Sequence, residues 1–111
     1  MVSESDLKSA VKDIIQYYAS FKVTDGENRY QVLLEDEDGI YQLKLIGWNG
    51  TKRQYGLIID IEVVEEKIWI HYDGTEDGVA VRLEDKGIPK EKIVLGWLSP
   101  TMRQFSDYAK A

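Results

Sequence analysis

The hydrophobic period of this chain changes once, and that change limits the fold more than any other feature. Leu7, Val11, Ile14, Tyr18 and Phe21 recur at spacings of three and four, the stripe of a helix that faces a core. Ser3 or Ser5 can cap this helix, with Glu4 and Asp6 near the positive end of its dipole. It is expected to stop near Lys22, before Thr24-Asp25-Gly26. From residue 30 the period becomes two and stays so for four segments. Tyr30-Val32-Leu34 and Tyr41-Leu43-Leu45 alternate with polar residues across the turn Asp36-Glu37-Asp38-Gly39. Asn49-Gly50 predicts a tight hairpin, because that pair tolerates the positive φ angles such turns need.

Beyond the hairpin, Tyr55, Leu57, Ile59, Ile61 and Val63 are expected to share one face, opposite Gln54, Asp60 and Glu62. Glu65-Glu66 turns the chain into Ile68-Ile70-Tyr72. Short connections make neighbouring strands antiparallel, and the first helix is expected to cover their regular apolar face. The alternation sends Leu33, Ile46, Trp48, Ile58 and Trp69 to the other face. A sheet with large apolar groups on its second face needs a second cover, here either the C-terminal third or another subunit.

In that C-terminal third, Thr75 is a candidate cap for a helix with Val79, Ala80 and Leu83 on its apolar side. Gly87-Ile88-Pro89 is a stop signal. Ile93-Val94-Leu95 reads as a short strand or extended segment. Ser99-Pro100 starts a last helix, serine at the cap and proline at the first helical position, with Met102, Phe105 and Tyr108 as its inner edge. The expected class is therefore α+β, one domain over residues 1–111. An N-terminal helix packs on a four-stranded antiparallel meander, followed by a helix, a short extended segment and a C-terminal helix.

Charge and composition prune the functions. The 111 residues carry a formal net charge of −6. Such a chain is repelled by phosphate backbones, so direct DNA binding is disfavoured. There is no cysteine, which removes thiolate metal sites and cysteine nucleophiles and suits a reducing compartment. The opening Met-Val-Ser-Glu-Ser-Asp lacks the basic and apolar regions of a signal peptide, and no apolar run approaches the ~20 residues of a membrane span. A cytoplasmic protein without membrane contact is expected. His71 is the only histidine, so neither a catalytic triad nor a multi-histidine metal site can form within one chain.

Few residues then suggest chemistry. Asp73, Thr75, Glu76 and Asp77 offer oxygens that a hard cation could use, but a turn followed by a helix cap accounts for all of them. Trp48, Trp69 and Trp97 could stack bases, yet Glu62, Glu65 and Glu66 oppose the nearby Lys52, Arg53 and Lys67. A core or interface role suits the tryptophans better. Arg103 could pair with an acidic partner or with the chain's own carboxylates. No cofactor, metal or catalytic residue is expected; Trp48, Trp69, His71, Trp97 and Arg103 are the candidate partner-binding residues.

The stretch Lys67-Ile68-Trp69-Ile70-His71-Tyr72-Asp73-Gly74-Thr75-Glu76-Asp77-Gly78-Val79-Ala80 resembles the signature of the XisI family, the excision controlling factor of the fdxN element in cyanobacteria. Ile46-Gly47-Trp48 with Tyr55-Gly56, the run from Gly87 to Gly96, and Ser99-Pro100 with Arg103 agree in order, as does Tyr17-Tyr18-Ala19. Leu98 stands where members commonly carry a histidine. The resemblance marks Asp73, Gly74, Thr75, Glu76, Gly96, Ser99 and Pro100 as family positions. It implies an accessory role in programmed DNA excision during heterocyst differentiation. A separate site-specific recombinase would do the chemistry, and a companion factor, XisH, would also be required. With its unfavourable charge for DNA, the chain is expected to work by contact with XisH or the recombinase, and the second sheet face suggests a homodimer unless the C-terminal helices cover it. A DNA-binding directionality factor, and a metal-dependent nuclease or hydrolase using Asp73, Glu76 and Asp77, are the other two classes.

Overall fold

The computed structural model describes residues 2–23 and 27–111. The first helix, α1 (Glu4–Ala19), begins on a reciprocal cap: Asp6 N–H donates to the Ser3 hydroxyl, and Ser3 N–H donates to the Asp6 carboxylate. It ends before Lys22 because Ser20 turns its hydroxyl onto the Tyr17 carbonyl at 2.6 Å, competing with helix continuation. The expected turn at 24–26 lies outside the described residues. Leu7, Ala10, Val11, Ile14 and Ile15 are buried. Phe21, two residues past the helix, is exposed and lies edge-on against Tyr17, with ring centroids 5.0 Å apart.

Five strands follow, not four: β1 (Arg29–Glu35), β2 (Ile40–Asn49), β3 (Lys52–Val64), β4 (Lys67–Asp73) and β5 (Ile93–Leu95), in spatial order β1-β2-β3-β4-β5. The first three pairings are antiparallel and β4–β5 is parallel. Ile93–Leu95, expected as a short strand or extended segment outside the four-stranded meander, is thus a fifth strand of the sheet. Parallel pairing needs a long crossover, and residues 74–92 provide it through α2 (Val79–Asp85) and a 3-10 turn at Lys90–Lys92. The alternation could place the meander but not this return. Val79, Ala80 and Leu83 of α2 enter the same core as α1, with Tyr41, Leu43, Ile59, Ile61, Ile68, Ile70 and Ile93. Both helices therefore cover one face, called inner below.

Two bulges correct the predicted faces. Leu43 pairs with Ile59 but Lys44 pairs with Leu57, so Ile58 is an extra residue on β3. A bulge shifts the side-chain alternation by one. Ile59, Ile61 and Val63 face the core as expected, whereas Tyr55 and Leu57 sit on the outer face opposite Ile46 and Lys44. Ile58 itself packs against the core, contrary to its expected place. The second bulge is His71, skipped between the pairs Ile61–Ile70 and Asp60–Tyr72.

The turns also differ in detail. Asn49 pairs with Lys52, so the loop is Gly50-Thr51, and only Gly50 takes a positive φ, +65°. At the next hairpin both Glu65 and Glu66 have positive φ, 52° and 61°. The last helix, α3 (Pro100–Arg103), starts on the expected Ser99 cap, which accepts from Met102 N–H at 3.2 Å. It lasts one turn, too short to bring 102, 105 and 108 onto one inner edge. Met102 and Phe105 are exposed, and only Tyr108 packs against the core. Its hydroxyl donates to Glu84 at 2.5 Å. Among the described residues no helix is long and apolar enough to cross a membrane.

Candidate partner-binding surfaces

The family positions around Asp73 form a connector. Asp73 accepts from Thr75 N–H at 2.9 Å, the Thr75 hydroxyl at 2.5 Å and Val79 N–H at 2.7 Å. The cap of α2 therefore comes from six residues upstream, and Thr75 does not start the helix. Gly78 joins the two with φ +89°, a conformation that a side chain would disfavour. Asp77 points elsewhere: Tyr18 donates to it at 2.6 Å, and Arg82 pairs with it at 2.5 Å. Tyr18 first, and then Arg82, hold its carboxyl below the usual range. Glu76 is exposed. Among the described residues no three or more histidine or acidic side chains gather as metal ligands.

Arg82 closes a lock that the sequence did not signal. Its guanidinium lies 4.1 Å from the Tyr17 ring centroid and 5.2 Å from that of Tyr18, and donates to both hydroxyls at 3.1 and 2.8 Å. This ties α1 to α2 and to the Asp73–Gly78 connector. The adjacent Tyr17-Tyr18 pair was visible; the arginine that reaches it, 64 residues away, was not.

On the outer face, three of the five candidate residues come together. Trp69 and His71 stack with centroids 6.2 Å apart, Arg103 lies 5.0 Å over the Trp69 ring, and His71 Nε2 meets Glu62 at 3.0 Å. Gly96 packs against this group: a Cβ there would fall 3.1 Å from His71 Nδ1 and 3.4 Å from Trp69. Val94, fully buried, is bridged by Ala109. The C-terminal third thus covers the β4–β5 end of the outer face. Trp48 is not part of this group. It stands at the β2–β3 tip with Arg53 at 5.3 Å, and Arg53 also faces the Tyr55 ring and donates to the Gly47 carbonyl. Across the outer face as a whole, Leu33, Trp48, Tyr55 and Tyr72 remain 44%, 45%, 64% and 46% exposed.

A second exposed apolar surface follows Gly96. Trp97, Met102 and Phe105 are 49%, 53% and 81% exposed within nine residues. Ser99 and Pro100 shape this segment by starting α3.

The chain matches the family model described as XisI protein over residues 1–110. It is similar to the crystal structure of a XisI-like protein from Anabaena variabilis ATCC 29413, with 34% identity, a TM-score of 0.92, and coverage of 98% of this chain and 100% of the other. It is also similar to the fdxN element excision controlling factor XisI from the same organism, at 25% identity and TM-score 0.82, covering 97% and 98%. No curated protein matches.

Proposed function

Since the chain belongs to the XisI family, we propose that it is a cytoplasmic accessory factor for site-specific excision of a DNA element. It acts by contact with a XisH-like protein or a recombinase, not by catalysis. The observation that carries this reading is the 97–105 segment, where Phe105 holds its ring 81% in solvent beside Trp97 and Met102. Large apolar groups at this exposure add little to the fold and are the usual anchors of a protein contact.

Two features favour contact over chemistry or direct DNA binding. The Asp73 carboxylate is occupied by three donors of its own connector. Lys52, Arg53 and Lys67 do not merge into one strip: Lys52 and Arg53 sit at one end of β3, and Lys67 at the other, donating to the Ala111 main-chain oxygen. Co-purification of the chain with a XisH-like protein should succeed, and Phe105→Glu should abolish it while leaving the thermal melt unchanged. Capture that survives Phe105→Glu and Trp97→Ala together would contradict the reading.

A further inference from the structure

The outer face carries a gradient of charge along its strands. Register groups its side chains into rows across the sheet. Past the turn-end pair Val64–Lys67, where Lys67 donates to the Ala111 main-chain oxygen, the first full row is Glu35, Ile40, Glu62 and Trp69, and the second is Leu33, Gln42, Asp60 and Tyr72. Toward the β2–β3 tip follow Gln31, Lys44 and Leu57, then Arg29, Ile46 and Tyr55, then Trp48 and Arg53. The first two rows hold three carboxylates and the last three hold three cations, Arg29, Lys44 and Arg53, with no carboxylate among them. Each row also contains large apolar groups, several of them exposed.

We propose that this face binds a second copy of the chain, sheet against sheet. A two-fold contact presents the same surface to itself, so it must be self-complementary. An axis between the sheets, perpendicular to the strands and between the Asp60 and Lys44 rows, satisfies that condition. It sets the Asp60 row over the partner's Lys44 row and the Glu35–Glu62 row over the partner's Arg29 row. Each strand then lies over the same strand of the second copy, so Glu35 meets the partner's Arg29, Ile40 meets the partner's Ile46, Glu62 meets the partner's Tyr55, and Asp60 stands over the partner's Leu57, one strand from the partner's Lys44. Sheets that pack face to face in this way bury alternate side chains in a shared layer. An acidic peptide would match only the cationic half, and a nucleic acid would meet Glu35, Asp60 and Glu62. A second copy matches both halves. The dimer leaves the 97–105 segment for another partner and does not rest on the role in excision.

Charge-swapped variants test this. Arg29→Glu/Lys44→Glu leaves Arg53 as the one cation in these rows, and Glu35→Lys/Asp60→Lys leaves Glu62 as the one carboxylate; neither touches the Arg53 or His71 contacts. By sedimentation velocity at about 50 µM the wild type should be a dimer, a micromolar association being typical of a modest interface. Each variant alone should weaken self-association by at least about 100-fold, because like charges then face each other. An equimolar mixture of the two should restore the dimer, with unchanged melting curves showing that both fold. A monomeric wild type, or a mixture that stays monomeric while both variants fold, would overturn the proposal. So would a monomeric wild type that binds an oligothymidine through Arg29 and Lys44, which would make the face a stacking platform for single strands.

Discussion

The two faces of the same sheet are filled differently. The inner face is aliphatic and closed: Leu43, Ile59, Ile61, Ile68 and Ile70 are fully buried under α1 and α2. The outer face mixes aromatic and charged groups and is closed only at β4–β5, by Arg103, Gly96 and the segment around Ala109. The alternation of a strand lets one segment serve both purposes, and the bulge at Ile58 moves Tyr55 and Leu57 from the first to the second. Buried aliphatic packing is concentrated on one side, and exposed aromatic and charged groups on the other.

That division can be broken by substitution, most strongly from within. Ile61→Ala should cost about 3 kcal/mol in denaturant unfolding, the usual penalty for a fully buried aliphatic truncation. Asp73→Ala should cost about 2 kcal/mol, since three donors lose one ionised acceptor. Glu66→Gly should act in the opposite direction and stabilise by about 1 kcal/mol, because glycine relieves the left-handed backbone at φ 61°. Trp48→Ala on the outer face should change stability by less than about 0.5 kcal/mol, as expected of an exposed side chain, while weakening self-association.

The pH dependence sharpens the same contrast at the C-terminal edge. Burial, then the Glu84 carboxylate, push the Tyr108 hydroxyl from 10.0 up to about 12. A raised folded value means the stabilisation is complete below the unfolded value and is lost as pH rises from about 10 through about 12. Tyr108→Phe should remove this alkaline component from melts recorded against pH. Asp36 runs the other way. Tyr41, then Lys12, lower its carboxyl, so its contribution is present above the usual carboxylate range and fades as pH falls below it.

Much of the inner face was legible because period alone places Leu7, Val11, Ile14, Ile59, Ile61 and Leu83. What escaped had a non-local cause. A bulge is one residue of register between two strands, and no pattern within β3 announces that Ile58 is skipped. The parallel return of Ile93–Leu95 depends on where α2 docks. The single-turn α3 depends on a cap and on the chain leaving the surface after it, so Phe105 was placed inside when it stands outside. At the candidate site, Trp69, His71 and Arg103 were chosen for their chemistry and do meet. Trp48 was grouped with them through alternation and lies at the far tip. The Tyr17–Tyr18–Arg82–Asp77 lock needed the tertiary contact of two helices.

The account stands most directly on the exposed segment after Gly96, which should bind a partner and contribute nothing to the fold. Calorimetric titration of the purified chain with a XisH-like protein should give binding at about 10 µM or tighter, the range of specific protein contacts. Trp97→Ala/Phe105→Glu should bind at least about 100-fold more weakly at an unchanged melting temperature, as loss of two anchors implies. No heat of binding from the wild type at about 100 µM, or equal affinity of the double variant, would contradict it.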